Sequence, residues 1–123
     1  MRIAVVGATG EVGRMMIKVL EEHKVQPDEL RLFASARTAG MSLLFGGKSY
    51  TVEELTHDVL REGFDYVLFS AGSDVAKEYA PTAAEAGSVV IDNSSAFRRD
   101  ATIPLIVPEI NGDILEGYRG IVA

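Results

Sequence analysis

The sequence predicts an α/β domain with a doubly wound, mostly parallel sheet and flanking helices. Short apolar runs alternate with amphipathic stretches, the pattern of strands joined by crossover helices. Three of these runs, Ile3-Ala4-Val5-Val6, Tyr66-Val67-Leu68-Phe69 and Val89-Val90-Ile91, are continuous rather than alternating, as in strands buried on both faces. The first run ends in Gly7, Gly10 and Gly13, evenly spaced, and leads straight into a helical pattern. A length of 123 residues holds one domain.

Taken in order, Ile3-Ala4-Val5-Val6 is the first strand. Val12, Met15, Met16, Val19 and Leu20 then recur at helical spacing and predict the apolar stripe of a helix, with the two methionines in its core or on its flank. His23 and Lys24 suit the negative end of that helix, and Pro27 lies beyond it. Leu32-Phe33-Ala34 reads as the second strand, residues 38–47 as a glycine-rich loop with short extended pieces, Tyr50-Thr51-Val52 as a further strand and residues 53–60 as a short helix. After the Tyr66 strand, Ser73 is expected to N-cap a helix reaching Ala86, with Ala76, Ala80, Ala83 and Ala84 on its packing side. Pro81 predicts a kink or a two-part helix there. Val89-Val90-Ile91, Leu105-Ile106-Val107 and Ile121-Val122-Ala123 complete the strands. The last run has no terminating turn, so the chain reads as a piece cut from a longer one.

Composition narrows the function. A net charge of −6 and a pI near 4.8 disfavour a nucleic-acid partner. No apolar run approaches the roughly 20 residues that span a bilayer, so no membrane partner is expected. The first strand follows Met1-Arg2 at once, so no signal peptide is expected and a cytoplasmic location is. Without cysteine, this stretch offers no disulfide, no thiolate zinc site and no thiol nucleophile. His23 and His57 lack a carboxylate or second histidine at metal spacing and read as structural, so no metal is expected. Ser94 and Ser95 belong to no Ser-His-Asp arrangement.

The glycine turn carries the chemistry. Glycines between a buried strand and a helix allow a sharp turn and bring peptide N–H groups close to a ligand, and the positive helix end favours a pyrophosphate. This is the Rossmann-like dinucleotide pattern in a variant spacing, and it nominates Gly7, Thr9, Gly10, Glu11, Val12 and Gly13 as cofactor contacts, with the Glu11 side chain turned away. A tight strand-to-helix turn with no ligand is the alternative. NAD-specific folds place an acid about 20 residues past the glycines, to accept from the ribose 2′-hydroxyl. Here that place reads Ala34-Ser35-Ala36-Arg37-Thr38, and residues 30–52 contain no Asp or Glu but do contain Arg31, Arg37 and Lys48. Arg37 with the hydroxyls of Ser35 and Thr38 matches a 2′-phosphate, which predicts NADP; a solvated surface arginine is the alternative. Further strand ends, Ser70-Ala71-Gly72, Asn93-Ser94-Ser95 and Pro108-Glu109-Ile110-Asn111, carry the small and polar groups that a crevice at the carboxyl edge of a sheet needs.

These motifs, together with Lys77-Glu78-Tyr79-Ala80-Pro81 and Asp92-Asn93-Ser94-Ser95-Ala96-Phe97-Arg98, resemble the aspartate-β-semialdehyde dehydrogenases over nearly the whole chain. The resemblance implies an NADP-dependent oxidoreductase that interconverts L-aspartyl-4-phosphate and L-aspartate-4-semialdehyde, with release of phosphate, toward lysine, methionine and threonine. It implies that a cysteine thiolate attacks the aldehyde, a hydride passes to NADP and phosphate then releases the acyl group. By the same resemblance Ser70, Ala71, Ser94 and Ser95 join the cofactor contacts, Arg98 binds the substrate phosphate, Asn93 helps orient that site, and the parent protein is a homodimer or homotetramer. The family cysteine lies in an Asn-Cys motif just past the equivalent of Ala123, with its histidine base and substrate arginine further on. The chain is therefore expected to be the cofactor domain alone, without turnover. An N-acetyl-γ-glutamyl-phosphate reductase relative and a stand-alone, non-catalytic NADP-binding or regulatory module are the alternatives. A short-chain dehydrogenase is disfavoured, because none of Tyr50, Tyr66, Tyr79 or Tyr118 has lysine four residues later.

Overall fold

The structure, a computed structural model, describes residues 1–92 and 120–122. Within them the elements run β1 (Arg2–Val6), α1 (Glu11–Glu22), β2 (Glu29–Ala34), β3 (Ser42–Phe45), β4 (Lys48–Glu54), α2 (His57–Arg61), β5 (Tyr66–Phe69), α3 (Ser73–Glu85), β6 (Val89–Asp92) and β7 (Gly120–Val122). The strands form one sheet in the order β3-β4-β2-β1-β5-β6-β7, parallel except where β3 runs against β4. The order grows outward from β1 through β2 and then reverses to β5. A crevice opens at such a reversal, beyond the carboxyl ends of the strands.

Both faces of the central strands β1, β5 and β6 are buried, which is why these strands are continuous apolar runs, whereas β3 and β4 at one edge are partly exposed. Ile3 and Val5 of β1 pack in the layer beneath α1 with Ile17 and Leu20. Ala4 and Val6 face the other way, into the layer beneath α2 and α3 with Leu60, Ala76, Ala80 and Ala83. The doubly wound architecture predicted from the sequence is thus the observed one.

The stripe predicted for α1 holds at Leu20 and at Met16, which packs against the core, and is corrected at Val12 and Met15. The buried residues are Gly13, Ile17 and Leu20, whereas Val12 is 40% exposed and Met15 59% exposed. The apolar residues of this helix allow either rotation, and Gly13 decides between them. A Cβ at that position would stand 2.0 Å from the Gly7 carbonyl oxygen, so Gly13 is pressed onto the end of β1 and brings Ile17 and Leu20 to the sheet.

Other boundaries shift for local reasons. The predicted loop over residues 38–47 contains β3, joined to β4 by Gly46 and Gly47 at φ +58° and +80°. Two consecutive positive φ values make the tight hairpin turn whose twist suits the paired strands. The predicted helix over residues 53–60 starts later, because Glu53 and Glu54 continue β4 by pairing with Phe33 and Ala34. Thr56 then caps α2, its Oγ1 accepting from the Val59 N–H at 3.1 Å. Gly72 (φ +94°), not Ser73, occupies the N-cap of α3. That helix continues through Pro81 as one element; Ala76, Ala80 and Ala83 are fully buried along it, as predicted. At the far edge, β7 lies where the terminal strand was expected, while Leu105-Ile106-Val107 falls outside the described residues.

Gly13→Ala is expected to destabilise the fold by about 2–3 kcal/mol through overpacking, even though alanine is favoured in a helix by about 1 kcal/mol. Gly10→Ala, whose new Cβ meets nothing nearer than 3.5 Å, should cost less than about 1 kcal/mol at its cap position. Urea unfolding of the two variants measures the contrast.

Candidate functional site

The glycine turn is held from three sides. Gly7 stands at φ +82°, and a Cβ there would lie 2.9 Å from both the Ala71 Cβ and the Ser70 Oγ, so glycine lets β1 turn directly beneath the end of β5. The Gly7 and Ala8 N–H groups both donate to the Phe33 carbonyl, at 2.8 and 3.1 Å, and the Gly10 N–H donates to the Gly7 carbonyl at 3.1 Å. From β5, the Ser70 hydroxyl reaches the Val6 and Gly7 carbonyls at 2.9 and 3.2 Å. Thr9 and Thr38 join hydroxyl to hydroxyl at 3.1 Å, tying the turn to the loop after β2. That loop closes on itself, with the Thr38 and Ala39 N–H groups donating to the Ser35 carbonyl at 3.1 and 3.0 Å.

At the head of α1, the N–H groups of Glu11, Val12 and Gly13 have no carbonyl one turn earlier to bond, and no side chain caps Gly10. These are donors at the positive end of a 12-residue helix, the arrangement that attracts a phosphate.

Above the strand ends lies a cleft of about 620 Å³. Of the residues nominated from sequence, Gly7, Thr9, Gly10, Ser35, Arg37, Thr38, Ser70 and Ala71 all line it. Glu11 and Val12 are exposed, Gly13 is buried beneath the turn, and the side chains of none of the three form its wall. These three residues are not part of its lining. Asn93, Ser94, Ser95 and Arg98 lie outside the described residues.

The sequence reading missed Glu54, Leu55, Val75 and Tyr79, which complete the wall. Val75 and Tyr79 stand four residues apart on α3, one face of a helix, a signal that was available. Glu54 and Leu55 arrive from the strand beside β2, which no spacing within β2 could reveal.

The two arginines of the acid-free window have separate fates. Arg31 is bound to both oxygens of Glu53, at 2.7 and 3.0 Å, and to Glu62 at 2.8 Å; its guanidinium also lies over the Phe33 and Phe64 rings. Arg37 is exposed and has no ion pair among the described residues. Arg31 is structural, whereas Arg37 lines the cleft without an ion pair among the described residues.

Tyr79 is backed by His57, the two rings stacked with centroids 4.4 Å apart at 28°. His57 Nδ1 meets the Thr82 hydroxyl at 2.7 Å and Nε2 meets Glu78 Oε2 at 3.4 Å, so a carboxylate that the sequence spacing did not show stands beside it. Burial first, then the Glu78 and Glu54 carboxylates, push the Tyr79 phenol above its ordinary range. Among the described residues, no three carboxylate or histidine groups gather as metal ligands, and no helix is long and apolar enough to cross a membrane.

A helix mouth offering amides, a glycine turn without room for side chains, and an elongated cleft at the strand reversal together define a Rossmann-like dinucleotide-binding domain. The chain belongs to the semialdehyde dehydrogenase family, whose description "Semialdehyde dehydrogenase, NAD binding domain" matches residues 2–118. It is 52% identical over 124 residues to the aspartate-semialdehyde dehydrogenase of Aquifex aeolicus (strain VF5), an alignment covering 99% of this chain and 36% of that protein. Aspartate semialdehyde dehydrogenase II from Vibrio cholerae, solved in complex with ASA, matches with a TM-score of 0.87 at 44% identity, over 99% of this chain and 40% of that one. The enzyme from Candida albicans, solved with NADP, matches with a TM-score of 0.70 at 26% identity, over 98% of this chain and 41% of that one. The resemblance read from the motifs is therefore borne out, and the chain spans little more than a third of the curated relative's length.

The division between the arginines is testable by melting. Arg31→Met leaves Glu53 and Glu62 without their cation and should lower stability by about 1–3 kcal/mol. Arg37→Ala should stay within about 0.5 kcal/mol of the unsubstituted protein.

Proposed function

We propose that this domain holds NADP for an aspartate-semialdehyde dehydrogenase. In this reading the diphosphate rests on the α1 amides beside Thr9 and Gly10, with Ser70 and Ala71 lying close against the cofactor. The adenosine 2′-phosphate meets Arg37, Ser35 and Thr38. One observation carries the reading: Arg37 is the single cation lining the cleft among the described residues, and no carboxylate neutralises it. The glycine positions support it, since a Cβ at Gly7 or Gly13 would collide with the end of β5 or with the Gly7 carbonyl and force the turn out of shape. The Candida albicans relative solved with NADP supports the choice of cofactor.

When bound, the nicotinamide supplies or accepts a hydride. The chain's own groups bind and orient: amides for the diphosphate, a guanidinium for the 2′-phosphate, and small residues at the ends of β1 and β5 for close approach. The names of the relatives support aspartate semialdehyde as a reactant of the parent protein; L-aspartyl-4-phosphate, phosphate and a place in the biosynthesis of lysine, methionine and threonine are assigned from the motif resemblance alone. Arg98 and Asn93 are assigned to the substrate phosphate, Ser94 and Ser95 to the cofactor, and the parent to a cytoplasmic homodimer or homotetramer. Because these 123 residues include no cysteine, they supply no thiol nucleophile.

Titration with NADPH tests the reading. Arg37→Ala should weaken NADPH about 10- to 150-fold, the range of a hydrogen bond to a charged group, and leave NADH nearly unchanged. Equal losses for both cofactors remove the 2′-phosphate assignment. The 123-residue chain alone should show no phosphate-dependent oxidation of the semialdehyde, followed as NADPH absorbance; turnover would mean that a group other than a thiol performs the chemistry.

A further inference from the structure

The cleft wall carries two charged side chains among the described residues, Arg37 and Glu54, and they are of opposite sign. Glu54 is exposed and has no ion pair there. Its neighbour Glu53 turns to the other face of β4 and is spent on Arg31. The backbone register sets Glu54 directly beside Ala34, the last residue of β2, and the Leu55 N–H donates to the Ala34 carbonyl at 2.8 Å. A carboxylate therefore stands at the end of β2 after all, delivered by the adjacent strand. Its field also reaches the Tyr79 phenol in the same cleft, the smallest of the causes that raise that phenol's pKa.

We infer that Glu54 is a cofactor-specificity residue: its carboxylate accepts a hydrogen bond from the free ribose 2′-hydroxyl of NADH and repels the 2′-phosphate of NADPH. Arg37 and Glu54 thus act as opposed charges, and the site admits both dinucleotides. This rests on the reading that the adenosine end of the cofactor lies at Arg37, and it adds what that reading omits: a device that lets the non-phosphorylated cofactor bind. A dianion repelled across several ångströms of partly solvated cleft is weakened about fivefold, and an exposed carboxylate–hydroxyl bond strengthens its partner by a similar factor.

The test is Glu54→Gln, with dissociation constants for NADPH and NADH measured by nicotinamide fluorescence on the parent chain and the variant. NADPH should tighten and NADH weaken, so that the NADPH-to-NADH ratio of dissociation constants falls about tenfold or more. A fall of less than about threefold, or losses in the same direction for both cofactors as a merely structural residue gives, overturns the inference while leaving Arg37 in place. If the parent chain binds no NADPH, the underlying reading fails and this inference falls with it. Should Glu54→Gln fold poorly by circular dichroism, Glu54→Asp draws the same charge back by one methylene and must shift the ratio the same way.

Discussion

Contact between Gly13 and the Gly7 carbonyl is the constraint on which the rest of the site depends. With hydrogen in place of a side chain, the first turn of α1 rests directly on the end of β1, where a Cβ would overlap the carbonyl oxygen. That approach has two consequences. It sets the rotation of the helix, so that Ile17 and Leu20 reach the sheet while Val12 and Met15 remain outside. It also holds the first turn of the helix, with its unbonded amides, directly after the Gly7–Gly10 turn that lines the cleft. Helix packing and the placing of those donors are here one geometric fact.

Charge is distributed on the same economy. At the amino ends of the strands, Arg2 binds Glu29 and the Gly63 carbonyl, and its own N–H donates to Asp65. Along β2, Arg31 is saturated by Glu53 and Glu62. The cations that hold the fold together are thus paired within the fold. Arg37 sits on an exposed turn whose backbone bonds close on Ser35, and its conformation costs the fold little. A charge left unpaired at a cleft rim is available to a ligand, which is why two arginines six positions apart carry different work.

Much of this was legible in the sequence. Continuous apolar runs named the buried parallel strands, and the even spacing of Gly7, Gly10 and Gly13 located the turn. Eight of the nominated side chains and glycines share one cleft. What escaped was decided between strands. The hairpin at Gly46 and Gly47 carried its signal in two adjacent glycines, but the polar and apolar residues of β3 did not alternate clearly enough to announce a strand. The end of β4 was read as helix because Glu53 and Glu54 suit a first turn; pairing with Phe33 and Ala34 outweighed that preference.

Local periodicity and glycine placement act through near neighbours in the chain, and so the sequence by itself determined the order of elements, the nucleotide turn and the free guanidinium at Arg37. The rotation of α1 and the arrival of Glu54 beside Ala34 were decided only in three dimensions. Each depends on contact between segments distant along the chain: one on a glycine meeting a carbonyl, the other on the register of two parallel strands. Spacing along one strand carries no information about the residue its neighbour sets alongside, and here that neighbour places an acid beside the carboxyl end of β2, which has none of its own.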